Sequence, residues 1–162
     1  MKIKDLYDQV CACDEYKESE FDYLAHFFIM LNDKYEPMTR WQVGFYNKEN
    51  DHVVSFDVDK KIVKTESRAF KHVEHKVSEL KLAEVKVDFE EALDIAKNLL
   101  KEKFPGNAPV KIVVLLQTIE GVATWNVTFI TAAFNVLNIK LNASDKKIIH
   151  HEFSSLLSWK VN

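Results

Sequence analysis

Trp41-Gln-Val-Gly-Phe-Tyr46 recurs later in this chain as Trp125-Asn-Val-Thr-Phe-Ile130. A second pair of matching stretches, Asp59-Lys-Lys-Ile-Val63 and Asp145-Lys-Lys-Ile-Ile149, follows in the same order. Internal repetition is informative about architecture because each copy forms the same supersecondary unit. We therefore predict that the chain contains two copies of one structural unit.

Both tryptophan stretches have the alternation that is typical of a β-strand. Trp41, Val43 and Phe45 are apolar, and polar or small residues lie between them. A period of two places every second side chain on one face of a sheet. Strand patterns predict three strands in the first unit, near residues 41–46, 54–58 and 62–66, and three in the second, near 123–131, 134–142 and 147–153. A fourth strand of the second unit is predicted at 111–117, which is apolar on both faces and therefore typical of a central strand.

Apolar residues spaced three and four apart predict helices before the strands of each unit. The first unit begins with a short helix near 2–13 and continues with a longer one near 19–36, which Pro37 ends. The second unit begins with a helix that Asp88 caps and Pro105 ends. A further helix in the connection is predicted from the spacing of Phe70, Val73, Val77 and Leu80.

The second unit resembles the PepSY family. The matching stretches are Asp88-Phe-Glu-Glu-Ala-Leu-Asp-Ile-Ala96 for the helix, Trp125-Asn-Val-Thr-Phe129 for a middle strand and residues 137–149 for the final hairpin. The resemblance implies a cystatin-like shape, in which a helix packs across a curled antiparallel sheet. It also implies a non-catalytic role, with protease inhibition or regulation as the suggested activity.

The repeat and the resemblance together predict an α+β fold. We expect two cystatin-like (PepSY-like) units, each a helix packed on an antiparallel sheet, plus a short N-terminal helix. The predicted boundaries are 1–78 for the shorter unit with three strands and 79–162 for the unit with four.

The composition argues against several classes of function. The 162 residues carry a formal net charge of −3 with both signs mixed along the chain, which argues against a nucleic-acid partner. Three glycines are too few for a glycine-rich phosphate loop, so we expect no nucleotide cofactor. No apolar stretch is long enough for a signal peptide or a membrane span, which predicts a cytoplasmic protein without a membrane partner.

No constellation of residues indicates catalysis, a cofactor or a metal ion, so we expect no enzyme activity and no cofactor. His72 and His75 lie one helical turn apart in the predicted connection helix. We interpret them as solvated residues, with a metal site as the alternative. A metal site would need further ligands, and the sequence offers none at a fixed spacing.

Four residues are candidates for binding a ligand or a partner. Trp41 and Trp125 are interpreted as equivalent core anchors, and the alternative is that they floor a pocket between helix and sheet. Phe27 and Met30 lie in the predicted helix 19–36, which is apolar nearly all round. Such a helix must be buried on two sides or form an interface, either with the first helix or with a second subunit.

The function expected from the sequence is therefore non-catalytic binding of a protein or peptide. An extended peptide could add as a further strand at an open sheet edge, for which the shorter first unit is the first candidate. The alternative is a small-ligand-binding protein with a pocket between helix and sheet. A homodimer is compatible with both.

Overall fold

The structure, a computed structural model, describes residues 2–69 and 76–158. Within these ranges the chain forms two α-helices and eight β-strands. In chain order they are α1 (Ile3–Cys11), β1 (Tyr23–Asn32), β2 (Trp41–Asn47), β3 (His52–Val58), β4 (Val63–Arg68), α2 (Phe89–Lys103), β5 (Pro109–Ile119), β6 (Val122–Thr131), β7 (Asn135–Asn142) and β8 (Ile148–Ser155).

The largest departure from the sequence prediction is the segment 19–36, which contains a strand and no α-helix. In β1, fully buried side chains alternate with partly buried ones from Phe27 to Leu31. A short run of this kind fits both a helix that is apolar all round and a strand that is covered on both faces, so its periodicity does not separate the two. Its aromatic and β-branched residues favour the strand. Pairing with two neighbours at the centre of the sheet stabilises it further.

All eight strands form one antiparallel sheet in the order β4-β3-β2-β1-β5-β6-β7-β8. The two halves of the chain meet where β1 pairs with β5, from His26 opposite Gln117 to Asn32 opposite Lys111. The prediction of two cystatin-like units, each a helix packed on its own sheet, is therefore wrong. Pairing of β1 with β5 satisfies the backbone groups of two apolar strands, which would otherwise be exposed as sheet edges. The chain does mix helices with an antiparallel sheet, and the sheet is the larger part.

The order of one helix followed by four strands occurs twice along the chain. Trp41 lies in β2 and Trp125 in β6, the second strand of each series. The repeated Asp-Lys-Lys motif lies both times in the turn before the last strand, at 59–61 and at 145–147. The sequence repeat therefore marks matching places in the sheet, although the first series has four strands and not the predicted three.

Both helices pack on the same face of the sheet. The Tyr7 ring of α1 lies 6.2 Å from the ring of Phe45 in β2. At the start of α2 the Asp88 carboxylate accepts a hydrogen bond from the backbone N–H of Glu91 at 3.2 Å, which is the geometry of an N-cap. This cap places Phe89 in the first helical turn, above the sheet.

The core lies between the helices and the sheet face beneath them. Side chains with almost no exposed surface occupy alternate positions of β1, β2, β3, β5 and β6. The largest of them are Phe27, Phe45, Phe56, Leu116, Trp125 and Phe129. The other face of the sheet carries no helix from the described residues, and this difference positions the candidate site.

Residues 76–88 connect the two halves and run past the end of the central strands. The backbone N–H of Leu80 donates to the carbonyl of Leu24 at 2.8 Å, which fixes the connection to β1. The helix predicted over this connection is absent from residues 76–81, and the rest of that prediction falls outside the described residues. Among the described helices, none combines the length and the apolar character that crossing a membrane requires.

Candidate functional site

The sheet face opposite the helices, here called the open face, has an apolar centre. Phe28 and Met30 of β1 and Val113 and Leu115 of β5 form this apolar patch, and all four are partly buried. Phe28 lies opposite Leu115, and Met30 lies opposite Val113. Directly opposed side chains of antiparallel strands are in contact, so the patch is one continuous surface at the middle of the sheet.

Polar side chains border the apolar patch. Gln42 lies beside Phe28, Asn126 beside Leu115, and Thr128 beside Val113. The Asn138 amide, one strand further out, donates to the side-chain oxygens of Asn126 at 2.5 Å and Thr128 at 2.8 Å. These two hydrogen bonds connect the polar side chains on the β6 side of the patch.

Two lysines lie on the open face close to the patch. Lys111 precedes the patch residue Val113 by two positions in β5, and Lys140 lies in β7 beside Asn126. Neither ammonium group is in an ion pair within the described residues. The patch therefore has positive charge on the side of β5 and β7, whereas on the other side the Asp57 carboxylate lies beyond Gln42.

A cleft of about 420 Å³ opens on the same face, at the end of the sheet near His26. One side is the sheet and the other is the connection, which is held by hydrogen bonds from the Tyr23 hydroxyl to the Val77 carbonyl and from the Thr118 hydroxyl to the Glu79 carbonyl. The uncharged polar side chains that line the cleft are His26, Gln42, Ser55, Ser67, Ser78, Gln117 and Thr118.

His26 lies directly on the backbone of Gly44 in the neighbouring strand. A Cβ atom at Gly44 would come within 2.1 Å of the His26 Cε1 atom, so the ring needs a glycine beneath it. His26 Nε2 lies 3.3 Å from the Gln42 amide oxygen, and the Gln42 amide nitrogen donates to Asp57 Oδ1 at 3.2 Å. In this series of hydrogen bonds the Gln42 oxygen accepts from the Nε2–H group of His26. The Nδ1 atom of the neutral His26 ring is then an acceptor.

Burial lowers the pKa of the His26 imidazole below its ordinary value of 6.5, and the hydrogen bond with Gln42 opposes this effect in part. The neutral ring is therefore the form that the fold stabilises. At the mouth of the cleft, Arg68 and Lys76 are exposed and have no counter-ion within the described residues. The cleft is accordingly lined by both polar and apolar side chains, among them Val53 and Leu115, and it is positively charged at its mouth.

The lowered pKa of His26 predicts a loss of stability in weak acid. Below the ordinary histidine value of about 6.5 the unfolded chain binds a proton that the folded chain resists, so the free energy of unfolding decreases as the pH falls. One such group contributes at most about 1.4 kcal/mol per pH unit. Urea denaturation at about pH 7.5 and about pH 5 measures this loss. We expect His26→Gln to show a smaller difference between the two pH values, and an unchanged difference would contradict the assignment to His26.

The structure separates the four residues that the sequence offered as a binding site. Trp125 and Phe27 are fully buried in the core, and Trp41 is 9% exposed. The Phe89 ring lies between the two tryptophans, at centroid distances of 5.0 Å from Trp41 and 6.2 Å from Trp125. Side chains therefore fill the space between α2 and the sheet at this point. Met30 lies on the open face, within the apolar patch.

Sequence reasoning missed the partners of Met30 in the patch. The stretch 111–117 is apolar at nearly every position, which indicated a central strand but not which strand lies beside it. Only the pairing of β1 with β5 brings Phe28 and Leu115 together. His72 and His75, considered above as metal ligands, lie outside the described residues. Within the described ranges no group of three His, Cys, Asp or Glu side chains could hold a metal ion.

Comparison with known proteins shows a similar fold and no family. No model of a known protein family matches the chain, and no curated protein matches it. Its fold is similar to the crystal structure of a candidate lipoprotein from Clostridium difficile 630, with a TM-score of 0.60 and 12% sequence identity. The match covers 95% of this chain and 93% of the other. At this identity the match is evidence about the fold alone.

Proposed function

We propose that this chain is a non-catalytic binding protein that docks a partner protein on its open face. The observation that carries the proposal is the apolar patch at the centre of a sheet face that no described helix covers. Apolar surfaces rimmed by polar residues are typical of protein interaction sites. The hydrogen-bonded border of asparagine and threonine side chains resembles the polar rim of such interfaces.

The charges around the patch favour a particular kind of partner. Lys111 and Lys140 supply positive charge beside an apolar centre, and neither is neutralised by a neighbour in the described residues. A partner surface with an apolar centre and carboxylates at its edge is complementary to this arrangement. Because the resemblance to PepSY modules implies protease regulation, a protease is the first partner to test.

The cytoplasmic location stays a prediction of the sequence, which cell fractionation tests.

The cleft beside His26 favours a second candidate, the binding of a small carboxylate ligand. Neutral His26 and Gln117 offer hydrogen-bonding groups inside the cleft, while Arg68 and Lys76 offer positive charge at its mouth. A small anion with a polar body fits this combination, since guanidinium groups bind carboxylates with two hydrogen bonds. This pocket lies on the open face and not between helix and sheet, where the sequence had suggested one.

The patch itself can be tested with a matched pair of variants. We expect Met30→Gln/Leu115→Gln to lose a partner that the unmodified chain captures from native lysate, because central apolar contacts carry most of the binding energy. With the purified partner, calorimetry should show a loss of affinity of at least about tenfold. Leu157→Gln, a change of the same kind at a side chain that is 76% exposed beyond β8, should bind as the unmodified chain does.

Two results would decide against protein docking on the open face. Equal affinity of the captured partner for all three proteins would place its binding elsewhere on the molecule. Thermal shifts with small mono- and dicarboxylates that disappear in Arg68→Gln/Lys76→Gln, without any partner that depends on the patch, would favour the second candidate.

A further inference from the structure

The two outer strands of the sheet differ in how they are protected. On one edge, β4 carries Lys64 and Glu66, which are paired with Glu20 and His52. Charges of this kind on an edge strand discourage pairing with another chain. On the other edge, β8 contains neither lysine nor proline, and its Ile148, Ile149 and Phe153 are 40%, 51% and 37% exposed.

β8 is also long enough to accept another strand. It spans eight residues, Ile148–Ser155, and in the described residues it pairs with β7 alone, regularly from His150 to Ser155 and with a register shift between His150 and Ile148. An edge strand without such protection pairs readily with a further strand, because one side of its backbone keeps free donors and acceptors. On β4 the paired charges stand beside a single exposed apolar side chain, Val63 at 40%. We therefore expect strand addition at the second half of the chain and not at the first half, where the sequence had suggested it.

We propose that a second copy of this chain occupies this edge, so that two β8 strands pair antiparallel and the two sheets become continuous. The sequence of β8 is complementary to itself in one register. With His151 opposite His151 of the second copy, His150 comes opposite Glu152, and Ile149 comes opposite Phe153. By symmetry each of these pairs occurs twice.

The side chains in this register are available for pairing. His150 and Glu152 are exposed on the open face, and neither is in a side-chain hydrogen bond or ion pair within the described residues. Centring the pairing on Glu152 would place two carboxylates directly opposite, which destabilises a strand pair. Centring it on His150 would place Glu152 opposite Ile148. The register centred on His151 is therefore the one that the side chains favour.

The rest of the molecule leaves room for this arrangement. Phe153 stacks on Phe104 of the segment after α2, at a centroid distance of 4.6 Å, so its ring is held on the helix-covered face. The apolar patch lies on the other face and several strands away, so the dimer leaves it accessible. A strand pair buries less surface than a standard interface, and we expect association in the micromolar range.

The register can be tested by exchanging its charges. Sedimentation velocity of the full chain, from low micromolar to several hundred micromolar, is expected to show a monomer–dimer equilibrium. Each dimer contains two pairs of residue 150 with residue 152. In both pairs, Glu152→Lys places a cation opposite His150, and His150→Glu places a carboxylate opposite Glu152. Each should weaken the dimer by about 2- to 30-fold. The double variant His150→Glu/Glu152→Lys places opposite charges in both pairs and should restore the dimer.

A matched control and three contrary outcomes keep the test decisive. Glu49→Lys makes the same charge change at an exposed position in the turn between β2 and β3 and should dimerise normally. Circular dichroism of each variant verifies that it is folded. A monomer at several hundred micromolar would overturn the proposal. So would a dimer that Glu152→Lys leaves unchanged, or a single-variant loss that the double variant does not reverse.

Discussion

Replacement of Trp125 by alanine is expected to lower the free energy of unfolding by about 3–5 kcal/mol, the range for truncating a large aromatic side chain in a core. Trp125 has no exposed surface, and its indole N–H donates to the Val87 carbonyl at 2.8 Å. The substitution therefore opens a cavity under α2 and leaves a buried carbonyl without its donor. Urea denaturation followed by circular dichroism measures the loss.

Trp125→Phe separates the two contributions. It keeps most of the apolar volume but removes the donor to Val87, and we expect a loss of about 1–3 kcal/mol. Leu157→Ala, at a side chain that is 76% exposed, serves as the control and should change stability by less than about 0.5 kcal/mol. A Trp125→Ala variant as stable as this control would show that the indole is not packed as described.

Gly44→Ala is expected to destabilise the fold by about 1–3 kcal/mol, the usual cost of overpacking. The φ angle of Gly44 is not positive, so its backbone conformation does not require glycine. The added methyl group would instead collide with the His26 ring, whose Cε1 atom lies 2.1 Å from the ideal Cβ position. The ring must move, and its hydrogen bond with Gln42 is lost with it.

Once the His26 ring is removed, Gly44→Ala should no longer lower the free energy of unfolding. In a His26→Ala background the space above Gly44 is empty, and alanine in a strand is favoured over glycine by about 0.5–1 kcal/mol. Gly44→Ala should then be neutral or stabilising. The double-mutant cycle isolates the coupling between the two positions. Equal costs in both backgrounds would place the origin of the effect away from His26.

Much of the strand content could be predicted from the sequence. The alternation in Trp41-Gln-Val-Gly-Phe-Tyr46 and the apolar stretch 111–117 indicated β2 and β5, because side chains in a sheet alternate between faces. The helix after Asp88 was also predicted within a residue or two, since its cap and its periodicity agree. These are local signals, and local structure follows from them directly.

The central strand β1 could not be predicted in the same way. Its run of apolar residues fits both the helical period of 3.6 and the strand period of 2. Which structure forms depends on what packs against its two faces. In the sheet β1 lies between β2 and β5. The periodicity of the β1 sequence contains no information about which strands lie on either side of it. The error in this one element turned a single sheet into two units in the prediction, because without β1 nothing joins β2 to β5.

The candidate site depended on tertiary structure to a greater degree. Met30 was selected from the sequence for its place on an apolar surface, but Phe28 and Leu115 complete that surface only across the β1–β5 pairing. The contact of His26 with Gly44 likewise joins two strands, and no spacing in the sequence predicts it. The repeated tryptophans were the first candidates for a binding site in the sequence, but both are buried and their rings fill part of the core.

The sequence by itself determined which segments alternate, where α2 begins and that two stretches of the chain occupy matching places in the sheet, since these properties depend on residues close together in the chain. Only the tertiary structure decided that β1 is a strand, that one sheet joins both halves, and which apolar side chains remain on the open face. The physical reason is that burial is shared between segments distant in sequence: a side chain becomes core or surface according to the strand or helix that packs against it.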